Sequence, residues 1–175
     1  MTRKLHIGGE ICADGWEVLN INPGKHVDHV CNATNMSIFQ DNTFDEIYAS
    51  HIVEHLDYVH VLDSTLKEWR RVLKPGGKIS ISVPNLDFLA GLLLAKNRTS
   101  PEQRFFVMRM MFGGHIDKYD YHLVGLNEEI LTAYLLAANY ENIKRVDEFG
   151  LFEDLSTMKI EGTYISLNMT AGKRL

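Results

Sequence analysis

The stretch Asp41–Pro84 reads DNTFDEIYASHIVEHLDYVHVLDSTLKEWRRVLKPGGKISISVP. After the turn-like Gln40-Asp41-Asn42-Thr43, Phe44–Ser50 is predicted as a strand. At the far end, Lys78–Pro84 alternates Ile79, Ile81 and Val83 with Ser80 and Ser82, the period of two that a strand requires. Between them Val59, Leu62, Leu66, Trp69 and Leu73 recur three and four apart, which places them on one helix face. Asp63, Lys67, Arg70 and Lys74 lie on or beside the other face. Lys74-Pro75-Gly76-Gly77 then ends the helix, with proline at the second turn position and glycine at the third, which needs positive φ. A strand, helix, tight turn and strand in this order form the crossover that a parallel sheet requires, usually right-handed. The fold class is therefore α/β.

Upstream, Lys4–Ile7, Glu17–Ile21 and His29–Cys31 are short strand candidates, the second ending at Asn22-Pro23-Gly24. Only Gly8–Trp16 separates the first two. A full crossover with its helix needs about 10–12 residues or more, so the first helix is expected to shrink to a turn. Downstream, Leu86–Asn97 and Pro101–Phe112 read as helices and Gly113–Gly125 as an irregular stretch rich in His, Asp and Tyr. Asn127 is placed to cap a helix running through Asn139, with Glu128 and Glu129 in its first turn. Ile143–Val146 and Tyr164–Met169 are the closing strands. The whole chain, residues 1–175, reads as one domain, in which residues 86–126 form a helical and loop insertion over the substrate site.

Composition narrows the function classes. A chain of 175 residues with 45% hydrophobic and 23% charged residues is ordinary globular material and needs no disulfide or metal staple. Its longest apolar run, Phe88–Ala95, falls far short of the roughly 20 residues of a bilayer span, so no membrane partner is expected. Met1-Thr2-Arg3-Lys4 leads into no cleavage site, and no signal peptide is expected. A net charge of −5 argues against a nucleic-acid partner, and Lys67, Arg70, Arg71, Lys74 and Lys78 read as a solvated helix face. Cys12 and Cys31 stand in no metal or redox spacing and suggest a reducing cytoplasm. The expected partner is a small-molecule substrate, and a homodimer is compatible with the sequence.

Four segments carry candidate chemistry. Gly8-Gly9-Glu10 follows the first strand, where glycine lets a backbone approach a ligand, or simply makes a turn. Asn20 or Asn22, ending the second strand, can hydrogen-bond a ribose hydroxyl or make an Asx turn. His51-Ile52-Val53-Glu54-His55 matches the H-x-x-E-H zinc pattern, but a strand runs directly into it and a third ligand is not evident, so no metal site is expected. The better reading puts these residues on a loop lining a pocket. Asp117-Lys118-Tyr119-Asp120-Tyr121-His122 gathers titratable groups, of which His122 can act as a general base or simply hydrogen-bond within a surface loop. The Leu-, Phe- and Met-rich stretch Leu86–Phe112 is either a cap over the substrate or plain packing.

Leu5–Glu10, Asp14-Gly15-Trp16, Asp41–His51, Glu54-His55-Leu56 and Leu73–Lys78 together resemble a class I S-adenosylmethionine-dependent methyltransferase, of the small type 11 domains. The "D-x-x-F-D-x-I" strand entry, "E-H-L" and "L-K-P-G-G" at this distance are the most specific parts, and the likeness covers roughly residues 4–150. It implies a Rossmann-like, mostly parallel seven-stranded sheet with helices on both faces and a C-terminal antiparallel strand. It implies S-adenosylmethionine as cofactor and S-adenosylhomocysteine as product. In the family the glycine loop holds the methionine part, here Gly8, Gly9 and Glu10. The ribose falls to Asn20, the adenine to Asn32 with Ala33, and the loop bearing Ser50 and His51 passes the reactive methyl, with His55 just behind. If the acceptor is a hydroxyl, His51 or His122 would take its proton. The chain departs from the family in keeping only Gly8-Gly9 of G-x-G-x-G, and in carrying asparagine at 20 and 32 where acidic residues are usual. The shortened first helix leaves one side of the cofactor pocket thinly walled or filled by another segment. A non-catalytic binding or assembly module of the same fold is the alternative reading. A zinc hydrolase would need bound metal. A nicotinamide oxidoreductase is disfavoured because the dinucleotide glycine spacing is missing.

Overall fold

The computed structural model describes residues 2–9, 11 and 13–175. Its strands are β1 (Lys4–Ile7), β2 (Trp16–Asn20), β3 (His29–Val30), β4 (Phe44–Ser50), β5 (Leu73–Pro84), β6 (Tyr140–Val146), β7 (Lys159–Ile160), β8 (Thr163–Tyr164) and β9 (Ser166–Lys173). Its helices are α1 (Leu62–Val72), α2 (Leu86–Leu94), α3 (Pro101–Phe112) and α4 (Glu128–Ala137). Seven strands form one sheet in the order β3-β2-β1-β4-β5-β9-β6, and β7 and β8 make a separate hairpin. β1 to β5 pair in parallel, whereas β9 runs antiparallel to both of its neighbours. This is the expected mostly parallel sheet with a reversed C-terminal strand.

The decisive unit β4-α1-β5 forms as its pattern requires. Leu62, Leu66, Trp69 and Val72 of α1 are fully buried against Leu5, Ile7, Ile47, Ala49, Ile79 and Ile81 of the sheet. Val59 lies outside the helix and is 59% exposed, because Asp57 first makes a turn, its Oδ1 accepting from the backbone N–H groups of Val59 and His60. Gly76 sits at φ +76°, as the turn demands, but β5 begins before the turn. Leu73 pairs with Phe44, and regular pairing resumes at Lys78 opposite Glu46. Pro75-Gly76-Gly77 is thus a bulge within one strand. The basic residues of α1 are more than a solvated face. Arg71 donates to Glu68, to Asp41 and to the carbonyls of Met36 and Phe39, pinning the loop before β4 to the helix.

The expectation of helices on both faces needs correction. Leu131 and Leu135 of α4, with Ala138 just past its end, join the same apolar cluster as α1. Right-handed crossovers that step in opposite directions from β1 and β4 lie on opposite faces, so losing the β1–β2 helix bares the second face. β1 and β2 pair directly from Lys4–Trp16 to Ile7–Leu19, without a helix between them among the described residues. The segment 147–165 covers that face instead. Phe152 packs on His6, Trp16 and Tyr48 with ring centroids 4.3, 5.2 and 4.7 Å apart, and the Tyr48 hydroxyl donates to Asp154 at 2.8 Å. Asn168 donates to the carbonyls of Asp147 and Ser156. Burial drives the His6 imidazole down to a pKa of about 4, so it sits there neutral.

Downstream, Asn127 Oδ1 caps α4 by accepting from Ile130 N at 2.9 Å, and Ser100 with Gln103 forms a capping box before α3. α2 ends at Leu94, β6 begins at Tyr140, and Tyr164 belongs to the small hairpin while Ser166 opens β9.

Candidate functional site

Gly8, Asn20, Asn32 and His51 all stand at or just past the carboxyl ends of parallel strands, around the point where strand order reverses between β1 and β4. Open α/β sheets bind ligands in that crevice. A cavity of about 690 Å³ opens there. Gly8, Asn20, Asn32 and Ala33 line it, together with Ile52, His55, Asp57, residues 116–121 and Leu123. Its size is within the ~300–1,000 Å³ usual for small-molecule sites. The structure thus brings Gly8, Asn20, Asn32, Ala33 and His55 together. Gly9, Ser50, His51 and His122 do not line this cavity, and Glu10 lies outside the described residues. Of the insertion, the loop and not helices α2 and α3 lines the cavity.

Both asparagines are engaged locally. Asn20 Oδ1 accepts from Asn22 N at 2.9 Å, an Asx turn, while its Nδ2 donates to the carbonyls of Gly8 and Gly9 at 3.3 and 3.1 Å. The side chain therefore clamps the glycine turn to β2. Asn32 Oδ1 accepts from Thr34 N and Thr34 Oγ1, both at 3.0 Å. The Asn32–Ala33 turn is in turn fixed from α1, where Trp69 Nε1 donates to Ala33 O at 2.9 Å.

His51, Glu54, His55 and His122 converge beside the cavity. His51 ends β4 in the left-handed region at φ +55°, uncommon for a residue with a side chain. The turn directs its Nε2 to Ser166 Oγ at 2.9 Å and its Nδ1 to Glu54 Oε1 at 3.2 Å. Since Ser166 Oγ donates to Leu155 O, it accepts from His51. Glu54 lies in a short 3-10 turn, Val53–His55, and is 1% exposed. Burial by itself would raise its pKa, but the charge of His51, with His55 and His122 nearby, holds the carboxyl below its usual range. His122 is brought in by backbone pairing, with Leu123 N donating to Glu54 O at 2.7 Å and His122 N to Phe112 O at 3.1 Å. The imidazoles of His55 and His122 meet edge to face at 4.8 Å. Burial depresses the His122 pKa against the opposing pull of Glu54.

Comparison with known proteins agrees with this geometry. Residues 10–81 match the sequence profile of a methyltransferase domain family. A SAM-dependent methyltransferase from Archaeoglobus fulgidus superposes with a TM-score of 0.63 at 19% identity, over 98% of this chain and 86% of that one. One from Methanosarcina mazei gives 0.59 at 16%, over 99% and 92%. The Burkholderia thailandensis 1,6-didemethyltoxoflavin-N1-methyltransferase, solved with 1,6-didemethyltoxoflavin and S-adenosylhomocysteine bound, gives 0.57 at 14%, over 99% and 72%. This is the class I methyltransferase fold. No curated protein sequence matches the chain. The comparisons support methyl transfer as the general chemistry and lend nothing to the non-catalytic alternative. Among the described residues, no helix is long and apolar enough to cross a membrane.

Two features of the site and the sheet around it escape sequence reasoning. The aromatic plug Phe149–Phe152 comes from far along the chain and carries no local signal. Glu54 is part of the E-H-L motif, but its convergence with His122 depends on the path of the loop. The Asn20 clamp yields a prediction. Asn20→Asp, although it restores the acidic residue usual in the family, sets a carboxylate against two carbonyls and removes both donors. It should destabilise the domain by about 1–3 kcal/mol, measured by urea unfolding, and weaken cofactor binding. Equal or greater stability of the variant would show that the clamp contributes nothing.

Proposed function

We propose that the domain binds S-adenosylmethionine in the 690 Å³ cavity and transfers its methyl group to a small-molecule acceptor. The supporting observation is the cavity itself, at the strand switch point and lined by Gly8, Asn20, Asn32 and Ala33. Gly8 presents backbone without a side chain on the methionine side. The asparagine turns border the ribose and adenine side, and their short polar side chains leave room for a nucleoside. S-adenosylmethionine supplies an electrophilic methyl and leaves as S-adenosylhomocysteine. The acceptor enters beside Asp117, Tyr119 and Tyr121, which line the same cavity as Gly8 and Asn20. An acceptor that shares this volume with the cofactor has to be small.

The chain's contribution is alignment of acceptor and methyl in a closed space, an effective-molarity effect. His51 and His122 are assigned as positioning residues. Both lie outside the cavity lining, and both face Glu54, behind His55. Titration calorimetry with S-adenosylmethionine and S-adenosylhomocysteine tests the reading. Micromolar binding of both is expected, followed by transfer of labelled methyl in an acceptor screen. No binding of either at millimolar concentration would overturn it.

A further inference from the structure

Glu54, His55 and His122 bring three side chains of metal-ligating type to one place. We propose that these three side chains bind one divalent first-row transition ion, of the zinc type, at the wall of the main cavity. One ligand atom from each lies within 4.8 Å of the others. Across a tetrahedral site with bonds near 2.1 Å the ligands stand about 3.4 Å apart, so small side-chain rotations close the set. Two imidazoles and a carboxylate form a donor set that suits such ions and leaves a coordination position open.

Three observations point to a ligand rather than to plain packing. First, Glu54 is 1% exposed, yet among the described residues neither carboxylate oxygen has an aligned hydrogen-bond donor; His51 approaches at 3.2 Å as an ion-pair contact. A buried carboxylate left this bare is costly unless a cation faces it. Second, the buried Nδ1 of His122 is likewise without a partner. Third, the His55 ring nitrogen turned away from the cluster is directed as in metal sites, where the second imidazole nitrogen donates to a backbone carbonyl. His55 Nδ1 faces Tyr121 O at 3.1 Å, which leaves a lone pair on Nε2. The geometry differs from the H-x-x-E-H helix pattern. His51 is held by Ser166 through Nε2 and lies outside the set of convergent ligand atoms, so Glu54 and His55 are the ligands, and His122 is the distant third. His55 also lines the main cavity, which sets the ion at its wall.

The test uses the full chain, stripped with chelator and then titrated with Zn²⁺ by calorimetry and with Co²⁺ by visible absorption and proton NMR. One equivalent of each is expected to bind. Co²⁺ should show the intense visible bands of a low-symmetry site and two strongly shifted exchangeable imidazole resonances, one each from His55 and His122. His55→Ala and His122→Ala should each weaken Zn²⁺ binding by at least about 100-fold, while His60→Ala and His115→Ala leave it unchanged. Failure of wild-type protein to bind a stoichiometric ion overturns the proposal, as does equal loss in the control variants. Should the ligand variants fail to fold, the Co²⁺ spectrum of wild-type protein still decides. Calorimetry with S-adenosylhomocysteine on the same stripped sample reports the cofactor reading separately, so either can fail alone.

Discussion

Trp69→Ala is expected to lower the unfolding free energy by about 3–5 kcal/mol, enough to leave a domain of this size largely unfolded in mild denaturant. The indole is fully buried in the cluster joining α1 to the sheet, and it is among the largest side chains there. Truncation removes its apolar contacts and leaves a void between α1 and the sheet, which rigid strands on one side cannot close. Trp69→Phe separates packing from anchoring. It retains most of the apolar bulk but deprives the Ala33 carbonyl of its 2.9 Å donor. Because Asn32 and Ala33 line the cavity, S-adenosylmethionine affinity should fall several-fold while the fold survives. Urea unfolding by circular dichroism and calorimetric titration read the two effects. Wild-type affinity in Trp69→Phe would show that the indole does not hold the adenine-side turn.

That coupling was half visible in the sequence. The three-and-four spacing of Leu62, Leu66 and Trp69 identifies the buried face of α1, since helix periodicity is a local property. The alternation of β5 and the Pro75-Gly76 turn are local too, so the β4-α1-β5 unit follows from pattern alone. The shortened β1–β2 connection was legible by counting residues. What replaces its helix was not, because Phe149 and Phe152 reach His6, Trp16 and Tyr48 only through the tertiary path of residues 147–165. At the site, Gly8, Asn20, Asn32 and Ala33 reach the cavity because strand ends fix them. His51 and His122 reach Glu54 instead, for reasons outside any local pattern. A left-handed turn aims His51 at Ser166 on β9, and the backbone pairing of Leu123 with Glu54 sets the depth of His122.

The two surviving glycines of the first loop serve different needs, and alanine at each should fail differently. Gly9 lies against the buried His6 ring, and a Cβ there would stand 2.5 Å from Nδ1, 2.7 Å from Cγ and 2.8 Å from Cε1. His6 has nowhere to go, since Tyr48 lies at 4.9 Å and Phe152 at 4.3 Å between ring centroids. Gly9→Ala should therefore cost about 1–3 kcal/mol by overpacking, visible as a fall in melting temperature on the order of 5 °C. Displacing the Gly9 carbonyl also weakens the Asn20 clamp, held at 3.1 Å. Gly8 is different. It sits at φ +74°, and its added Cβ would meet the Ile52 side chain, 2.7 Å from Cγ1. Ile52 can rotate, but it lines the cavity, so relief on that side intrudes on the space proposed for the cofactor. Gly8→Ala should carry the backbone penalty of about 1–2 kcal/mol and in addition lose S-adenosylmethionine affinity by tenfold or more, about 1.4 kcal/mol. The contrast discriminates between a binding loop and a mere turn. If both variants lose stability but bind cofactor as wild type does, Gly8-Gly9 only reverses the chain, and the methionine end of the cofactor is held elsewhere.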